Sequence, residues 1–430
     1  MASLQKDSKI VIVGAGVFGL STAEHLLKRG YTSVTILDRS NVLPAPDAAS
    51  CDINKIVRSS YSDPFYTELA RDAMELWKDR NLWGDTYHEC GVFVVANGGN
   101  ESYADGAYHN DIKFGARIKD LLSPAEIQPI FPPGVKTSSF EGFASYINLD
   151  GGWANASQGI SLLIDRVTNL GAQVIPGKAV TELVKDSHGR TSGVRCADDS
   201  AYEAELVVIA SGSWTPSSFP QLELYNNCLA TGQTVATIQL TAEEAETYRK
   251  CPVVLDFRTG FYIFPPNVDN KVKFALHGSG FLHRPSAPDG PSTPRTKLSD
   301  GDDGLRIPRE AVKDMRTYLS QIYPELAQKP FDSTRLCWYN DSTDDDWVIG
   351  FHPSDPGVML ATSGSGHAYK FLPNIGRLVA DAIEGKLGED LVKKFAVDRV
   401  KNAHVQWRAG LLHRPLNLDD LCTPEDLFPV

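Results

Sequence analysis

Apolar and amphipathic segments at the start of the chain predict a βαβ unit. Ile10 to Val13 and Val34 to Leu37 are apolar at almost every position, which is typical of strands buried on both faces of a parallel sheet. Between them, Val17 to Arg29 repeats apolar residues at helical spacing and is followed by Gly30, a residue that commonly ends helices. The two strands are therefore expected to be joined by a helix.

Later segments include both buried strands and strands of alternating polarity. Thr231 to Leu276 is rich in strand signals, with alternation in Gly260 to Phe264 and Val272 to Leu276, as expected of a sheet with one face over a cavity. Ser286 to Asp303 is dense in Pro, Gly, Ser and Asp and is expected to be an exposed loop. The other predicted elements are helices at Pro64 to Trp77, Gly159 to Leu170 and Ile375 to Ile383, and strands at Gly91 to Ala96, Gln173 to Ile175, Ala179 to Val184, Gly193 to Cys196, Leu206 to Ala210 and Val358 to Thr362.

The return to buried strands late in the chain predicts an α/β (α+β) fold with interleaved domains. A chain of 430 residues is also too long for one hydrophobic core. We expect a Rossmann-like nucleotide-binding domain, a β-rich substrate domain and a C-terminal extension. Their predicted bounds are 1–85, 146–228 and 335–390 for the first, 86–145 and 229–334 for the second, and 391–430 for the extension.

Composition and charge exclude several classes of protein. With 42% hydrophobic and 22% charged residues, the chain has the composition of an ordinary globular protein. Its net charge of -12 argues against a nucleic-acid partner, which would need a concentrated basic face. No apolar stretch approaches the length needed to span a bilayer, so we expect no membrane partner.

The cysteines and the two ends of the sequence favour the cytosol. Seven cysteines occur without CxxC or His-paired spacing, which suits a reducing compartment and argues against a metal site such as structural zinc. The polar start, Met1 to Asp7, leaves no room for the apolar core of a signal peptide. The end, Asp426 to Val430, has no SKL-type peroxisomal signal. We therefore expect a cytoplasmic protein.

A glycine-rich turn, GAGVFG, joins the first strand to the first helix and indicates a dinucleotide site. Gly14 permits the tight turn, Gly16 admits a pyrophosphate, and Gly19 allows close packing of helix on strand. Asp38, at the end of the second strand, can accept hydrogen bonds from ribose hydroxyls and disfavours a 2′-phosphate. Because FAD and NAD share the same ADP half, this motif leaves both open.

Six motifs recur along the whole chain: GAGVFG, NKIVRSSY from Asn54, TGFYIFPP from Thr259, KFALHGSGF from Lys273, LCWYNDSTDDDWVIGFHP from Leu336, and GSGHAYKFLPNIG from Gly364. In this order they resemble the monomeric sarcosine oxidase family. Within it the chain is most similar to the fungal saccharopine/pipecolate oxidases and less close to the fructosyl amino acid oxidases (amadoriases). The resemblance implies FAD as the cofactor, so the Rossmann-like domain is expected to be an FAD-binding domain.

The resemblance also implies roles for single residues. Cys337 is implied to hold FAD covalently, and Lys273 to activate oxygen by placing a cation beside the flavin. Arg58 and Lys370 are implied to bind the substrate carboxylate, since a guanidinium suits bidentate recognition of that group. Lys55 is implied to lie near the flavin ring, within a helical turn or a short loop ahead of Arg58.

Two further residues are implied to line the substrate side of the flavin ring. Tyr262 is expected to contact substrate and, with His277 and Lys273, to form the catalytic group. His277 argues against deglycating activity, because fructosyl amino acid oxidases carry a glutamate near that segment. The other implied cofactor contacts are Val17, Phe18, Arg39, Val180, Ser211, Gly212, Trp214, Gly366, His367 and Lys370.

The implied function is that of a monomeric FAD-dependent oxidase. It is expected to use O2 to oxidise the C–N bond of a secondary-amine amino acid such as saccharopine, pipecolate or an N-methyl amino acid, giving an imine and H2O2. A fructosyl amino acid oxidase, a tailoring oxidase of secondary metabolism and a non-catalytic flavoprotein stay open as alternatives. Without the resemblance, Cys337 would be interpreted as a buried structural thiol, and Lys273 and Lys55 would be interpreted as surface charges.

Overall fold

The fold consists of two large sheets, two small sheets and the helices that cover them. The structure is a computed structural model that describes residues 4–96, 101–224, 227–399 and 412–429. The strands are β1 (Ile10–Val13), β2 (Val34–Leu37), β3 (Lys55–Val57), β4 (Tyr87–His88), β5 (Val92–Val95), β6 (Ile118–Leu121), β7 (Ser145–Asn148), β8 (Gly152–Ala154), β9 (Gln173–Ile175), β10 (Val180–Lys185), β11 (Thr191–Cys196), β12 (Ala201–Glu203), β13 (Leu206–Ile209), β14 (Leu229–Gln239), β15 (Val253–Asp256), β16 (Phe261–Ile263), β17 (Lys271–Leu276), β18 (Phe281–Leu282), β19 (Ser333–Asp341), β20 (Val348–His352), β21 (Asp355–Thr362) and β22 (Arg414–Pro415). The helices are α1 (Val17–Lys28), α2 (Pro64–Trp77), α3 (Arg80–Trp83), α4 (Glu101–Lys113), α5 (Pro124–Ile127), α6 (Ala156–Asn169), α7 (Thr215–Ser218), α8 (Ala242–Tyr248), α9 (Lys297–Asp300), α10 (Arg309–Ser320), α11 (Pro324–Ala327), α12 (Ile375–Ile383) and α13 (Glu389–Phe395).

The first sheet has six strands in the order β20-β21-β13-β1-β2-β9 and is parallel except for β20. Its central strand is buried on both faces. Ile10 and Ile12 join the core that contains α1, α6 and α12, whereas Val11 and Val13 join the core beneath the small β10-β11-β12 sheet. Covering layers on both faces explain why this strand is apolar at every position.

The second sheet has ten strands, in the order β22-β18-β14-β17-β16-β15-β5-β7-β6 with β19 paired to β14, and is mostly antiparallel. Val272 and Phe274 of β17 face the core that contains α10. Because side chains alternate along a strand, Lys273 faces the opposite side. That side, which faces away from α10, also carries Tyr262, Ala275, Cys337 and Tyr339.

A small sheet, β3-β8-β4, lies between the two cores. Val57 of β3 belongs to the core of the first sheet, whereas Trp153 of β8 packs in the cluster that contains Tyr262 and Cys337. Residues that immediately precede β3 are therefore placed where the two sheets meet. None of the helices in the described part of the chain is both long and apolar enough to cross a membrane.

The predicted α/β (α+β) fold, with a parallel nucleotide-type sheet and a separate β-rich sheet, is confirmed. The division into domain segments stays a prediction. Most of β7 and β19 falls in the segments 146–228 and 335–390 predicted for the FAD-binding domain, yet both strands are hydrogen-bonded within the ten-stranded sheet. The predicted extension, 391–430, lies partly outside the described residues, as do Met1 to Ser3 and Val430.

The expectation of an exposed loop from Ser286 to Asp303 is correct for residues 286–289 and 297–303, which are exposed, but not for the middle of the segment. This segment contains α9, and its side chains Ser292, Arg295 and Thr296 are buried. Trp338 Nε1 donates a hydrogen bond to the carbonyl oxygen of Arg295 at 2.7 Å, which fixes the segment against β19. A composition rich in Pro, Gly, Ser and Asp predicts irregular backbone, but it does not show what covers that backbone.

Candidate active site

The turn between β1 and α1 has free space only at Gly16. A Cβ atom added at Gly14 would lie 2.4 Å from the carbonyl oxygen of Ala210, and one added at Gly19 would lie 1.9 Å from that of Gly14. At Gly16 the nearest atom would be Ser50 Oγ, at 3.5 Å. α1 begins at the next residue without a side-chain cap, so its first N–H groups are left for a ligand or solvent.

Asp38, predicted to bind ribose, also braces this turn. One carboxylate oxygen accepts a hydrogen bond from the Ala15 N–H at 2.8 Å, and the other accepts one from the Ser40 N–H at 2.9 Å. Burial raises the pKa of the Asp38 carboxyl above its ordinary value. The contact to ribose stays a prediction, whereas the contact to the glycine turn was not foreseen.

A cavity of about 590 Å³, here called the nucleotide cavity, lies in front of the turn. The Arg39 guanidinium stacks on the Trp214 ring at 4.6 Å from its centroid and forms part of the wall. Gly19 does not line this cavity, because it is used for packing of α1 on the turn. The predicted cofactor residues that do line it are Gly14, Gly16, Val17, Phe18, Asp38, Arg39, Lys55, Val180, Ser211, Gly212, Trp214 and Gly366.

A second cavity of about 670 Å³, here called the substrate cavity, adjoins the first. Four residues, Lys55, Tyr339, Gly366 and Tyr369, line both cavities, so the two spaces meet at these side chains. The predicted site residues in the walls of the substrate cavity are Lys55, Arg58, Tyr262, His277, Gly366, His367 and Lys370. His367 and Lys370, both predicted to contact the cofactor, line the substrate cavity and not the nucleotide cavity.

Arg58 and Lys370 bring two cations to the wall of the substrate cavity. Arg58 Nη1 is buried without a hydrogen-bond partner, and its guanidinium lies 4.7 Å from the Tyr61 ring centroid. Lys370 Nζ donates to Tyr61 Oη at 2.6 Å and to the carbonyl oxygen of His367 at 3.0 Å. Burial, reinforced by Arg58, holds the pKa of Lys370 well below its ordinary value. No carboxylate of the described residues pairs with either cation, so the site is suited to an anion from outside.

Lys273, the predicted oxygen-activating residue, is fully buried and lines neither cavity. Its Nζ donates to Asp52 Oδ2 and to the carbonyl oxygen of Asn54, both at 2.6 Å. The side-chain amide of Asn54 is buried and has no hydrogen-bond partner. Lys55, two residues before Val57, lies in strand β3 and not in a helical turn or a loop.

Cys337 is buried on the face of β19 that carries Tyr339. Its Sγ lies 3.6 Å from Lys55 Nζ, at the junction of the two cavities, although Cys337 itself lines neither. The thiol is therefore next to a residue of the junction. The covalent link to FAD stays a prediction.

Tyr262 and His277 are brought together with a tyrosine that was not predicted. His277 lies with its ring centroid 5.9 Å from that of Tyr339, and all three side chains line the substrate cavity. Tyr339 follows Cys337 by two residues in a strand, so the period of two was the signal that could have identified it. Tyr61, Asp52 and Tyr103 were also missed. Tyr61 is the last residue of the NKIVRSSY motif, which was a signal for it, whereas only the fold shows the positions of Asp52 and Tyr103.

The two cavities fit a flavin dinucleotide. The open Gly16 position and the uncapped helix suit a pyrophosphate, and the junction beside Lys55 and Tyr339 suits the reactive ring. The side-chain amide of Asn54, next to Lys55 of the junction, is a buried donor and acceptor without a hydrogen-bond partner among the described residues, as is common beside a bound polar group.

Comparisons with known proteins agree with this geometry. A family model described as FAD dependent oxidoreductase matches residues 9–382. The L-saccharopine oxidase of Schizosaccharomyces pombe is 31% identical over 89% of this chain and 91% of its own length. The monomeric sarcosine oxidase of an Arthrobacter species is 23% identical over 92% of this chain and 97% of its own. The crystal structure of the deglycating fructosamine oxidase Amadoriase II from Aspergillus fumigatus is 26% identical, with a TM-score of 0.84 over 98% of both chains.

Proposed function

The chain belongs to the family of FAD-dependent oxidoreductases, and we propose that it oxidises the C–N bond of a secondary-amine amino acid. The predicted resemblance to the sarcosine oxidase family is confirmed. The protein is an FAD-dependent oxidase of amine or amino-acid CH–NH bonds, of the sarcosine oxidase and amadoriase kind. The identity of the amine is the part that we propose.

The observation that carries the proposal is the pair of basic side chains Arg58 and Lys370, which no carboxylate of the described residues neutralises. A half-buried guanidinium with a buried Nη1 disfavours a charged amine beside it, unless an anion joins the two. The carboxylate of an amino acid is that anion, and the Arg58 fork can bind it through two hydrogen bonds. Because this pair lines the cavity that meets the nucleotide cavity, a bound amino acid would present its Cα–N bond to the junction.

His277 supports an amino-acid substrate without a sugar. In this chain an imidazole occupies the segment where fructosyl amino acid oxidases carry a glutamate, and the segment KFALHGSGF contains no carboxylate. An imidazole beside the substrate amine can accept a hydrogen bond from the amine, which orients the amine and influences its protonation. The similarity to a saccharopine oxidase also favours a substrate whose nitrogen carries two carbon substituents.

FAD, when bound, accepts the hydride of the oxidised C–N bond and passes two electrons to O2. The contribution of this chain is to orient the substrate by Arg58 and Lys370 and to enclose it between Tyr262 and Tyr339. The positive charge of Lys273 supports the oxygen half-reaction. We propose in addition that Cys337 holds the flavin covalently. A cytoplasmic location and a monomeric state stay predictions.

An anaerobic substrate panel tests the proposed function. Saccharopine, pipecolate, sarcosine, an N-methyl amino acid and a fructosyl amino acid are each mixed with the enzyme without oxygen, and loss of the oxidised flavin absorbance is followed. We expect bleaching by a secondary-amine amino acid and release of H2O2 when air is admitted. Fastest bleaching by the fructosyl amino acid would establish the deglycating alternative instead. If none of the amines bleaches the flavin, the proposed function is wrong.

A further inference from the structure

We propose that Asp52 is the positioning residue that fixes Lys273 in place and keeps it charged, so that the reaction with oxygen depends on this carboxylate. The inference rests on the proposed role of Lys273 in the oxygen half-reaction. Asp52 belongs to the segment before β3, where the two sheets meet, and none of the sequence motifs includes it.

Three cations converge on a single oxygen of Asp52. Oδ2 accepts a hydrogen bond from Lys273 Nζ at 2.6 Å and forms ion pairs with Lys55 Nζ and Arg335 Nη2, each at 2.9 Å. The side chain of Asp52 is only 4% exposed and that of Lys273 is fully buried. When all three basic side chains are protonated, the cluster carries three positive charges, and the single negative charge of Asp52 neutralises one of them.

The backbone holds Asp52 rigidly at this point. Its carbonyl oxygen accepts from the N–H and from the hydroxyl of Ser157, both at 3.0 Å, which ties it to the first turn of α6. Its second carboxylate oxygen, Oδ1, accepts from the Ile53 N–H at 2.9 Å. With Oδ1 used in this way, Oδ2 is directed at the three cations, and the Nζ of Lys273 has one fixed anchor.

Lys273 is the member of the cluster that changes charge near neutral pH. Burial lowers the pKa of Lys273 to about 7. Repulsion by Lys55 and Arg335 also lowers this pKa, whereas attraction by Asp52 raises it. Asp52 in turn outweighs the burial of Lys55 and Arg335 and raises the pKa of both, so they stay cationic. The three cations hold the pKa of Asp52 well below its ordinary value despite burial.

The charge of Lys273 matters because the oxygen half-reaction develops negative charge. Two electrons and two protons reach O2 to form H2O2, and Lys273 ends this step in the state in which it began. A protonated amine stabilises the developing charge, whereas a neutral amine does not. The rate of reaction with O2 is therefore expected to fall as the pH rises through the pKa of Lys273.

The experiment follows reaction of the dithionite-reduced holoenzyme with O2 by stopped flow as a function of pH. In Asp52→Asn we expect the midpoint of the pH profile to move to lower pH, because Lys273 loses the one carboxylate that pairs with it in the described part of the chain. At a pH one unit above the wild-type midpoint, the rate constant of Asp52→Asn should be about tenfold lower than that of the wild type for each pH unit by which the midpoint has moved down. In Arg335→Met the midpoint should move the opposite way, because a repelling cation is removed.

Matched controls come from an ion pair of Lys271, which lies on the same strand as Lys273. Lys271 pairs with Asp332 at 2.7 Å, with both side chains about one-third exposed. Lys271→Met and Asp332→Asn remove the same charges outside the cluster and should leave the profile unchanged. A shift in either control would mean that overall charge, and not Asp52, sets the profile, which would overturn the proposal.

Failure of the inference and failure of the proposed function give different results. If Lys273→Met reacts with O2 as fast as the wild type, the role proposed for Lys273 is wrong. If Lys273→Met is slow but Asp52→Asn and Arg335→Met keep the wild-type midpoint, only the inference is wrong. Should Asp52→Asn fail to retain flavin, Arg335→Met decides alone, and an unchanged or lowered midpoint there overturns the proposal.

Discussion

Alanine at Gly16 and alanine at Gly19 should separate cofactor binding from stability. Both residues belong to the same turn and both would gain a single methyl group. At Gly16 the methyl group would enter the space in front of the helix, at 3.5 Å from Ser50 Oγ. At Gly19 it would lie 1.9 Å from the carbonyl oxygen of Gly14. We expect Gly16→Ala to lose flavin and Gly19→Ala to lose stability as well.

The magnitudes follow from these distances. At Gly19 the contact is about 1.5 Å shorter than the 3.4 Å at which ordinary van der Waals contact begins, and the opposing atom is backbone. α1 must then move away from β1, which costs about 3 kcal/mol, at the upper end of the range for overpacking. At Gly16, the N-cap of α1, exchange for alanine costs under about 1 kcal/mol in the protein itself. The pyrophosphate, however, would lose its close approach to the backbone.

The assay compares the flavin-to-protein ratio after purification with the urea midpoint of unfolding followed by circular dichroism. Stability is compared with flavin-free wild-type protein, because bound cofactor stabilises the folded state. Gly388→Ala is the control, since a Cβ atom there meets no other atom within 4 Å. Full flavin content in Gly16→Ala, or a wild-type midpoint in Gly19→Ala, would refute the reasoning.

Three further predictions concern the substrate cavity and its junction. Arg58→Met should lower kcat/KM at least about 30-fold, since truncating one partner of a hydrogen-bonded charge pair formed with substrate costs about 2–5 kcal/mol, and Arg71→Met is a control that should keep wild-type kinetics. Binding of an unreactive carboxylate such as benzoate should take up a proton, because the anion raises the lowered pKa of Lys370, and binding should therefore weaken as the pH rises. Calorimetry in buffers of different ionisation enthalpy measures this proton uptake, and equal heats of binding in all buffers would contradict it. Cys337→Ser should release flavin on acid denaturation where the wild type and Cys51→Ser retain it, and free flavin from the wild type would show that the proposed link is absent.

Much of the fold was predictable because local patterns reported burial directly. β1 and β2, α2 and α12 have the predicted bounds, since continuous apolar runs and regular helical stripes leave few alternatives. α10 was missed, because its apolar residues form only a narrow stripe in a polar segment. The burial of Ser292, Arg295 and Thr296 in the expected loop from Ser286 to Asp303 was missed for a related reason, since burial of a polar segment depends on what packs over it.

The sequence by itself determined the glycine turn at Gly14 to Gly19 and the six motifs, because these depend on local backbone geometry and on residues close together in the chain. Strand alternation determined which residues of β17 share a face with Lys273 and which residues of β19 share one with Cys337. The register of both strands on β14 decided that the two faces are the same. Tertiary structure alone decided that Lys273 and Arg335 converge on Asp52. These contacts join segments more than 200 residues apart, and no local pattern specifies which buried charges a fold will bring together.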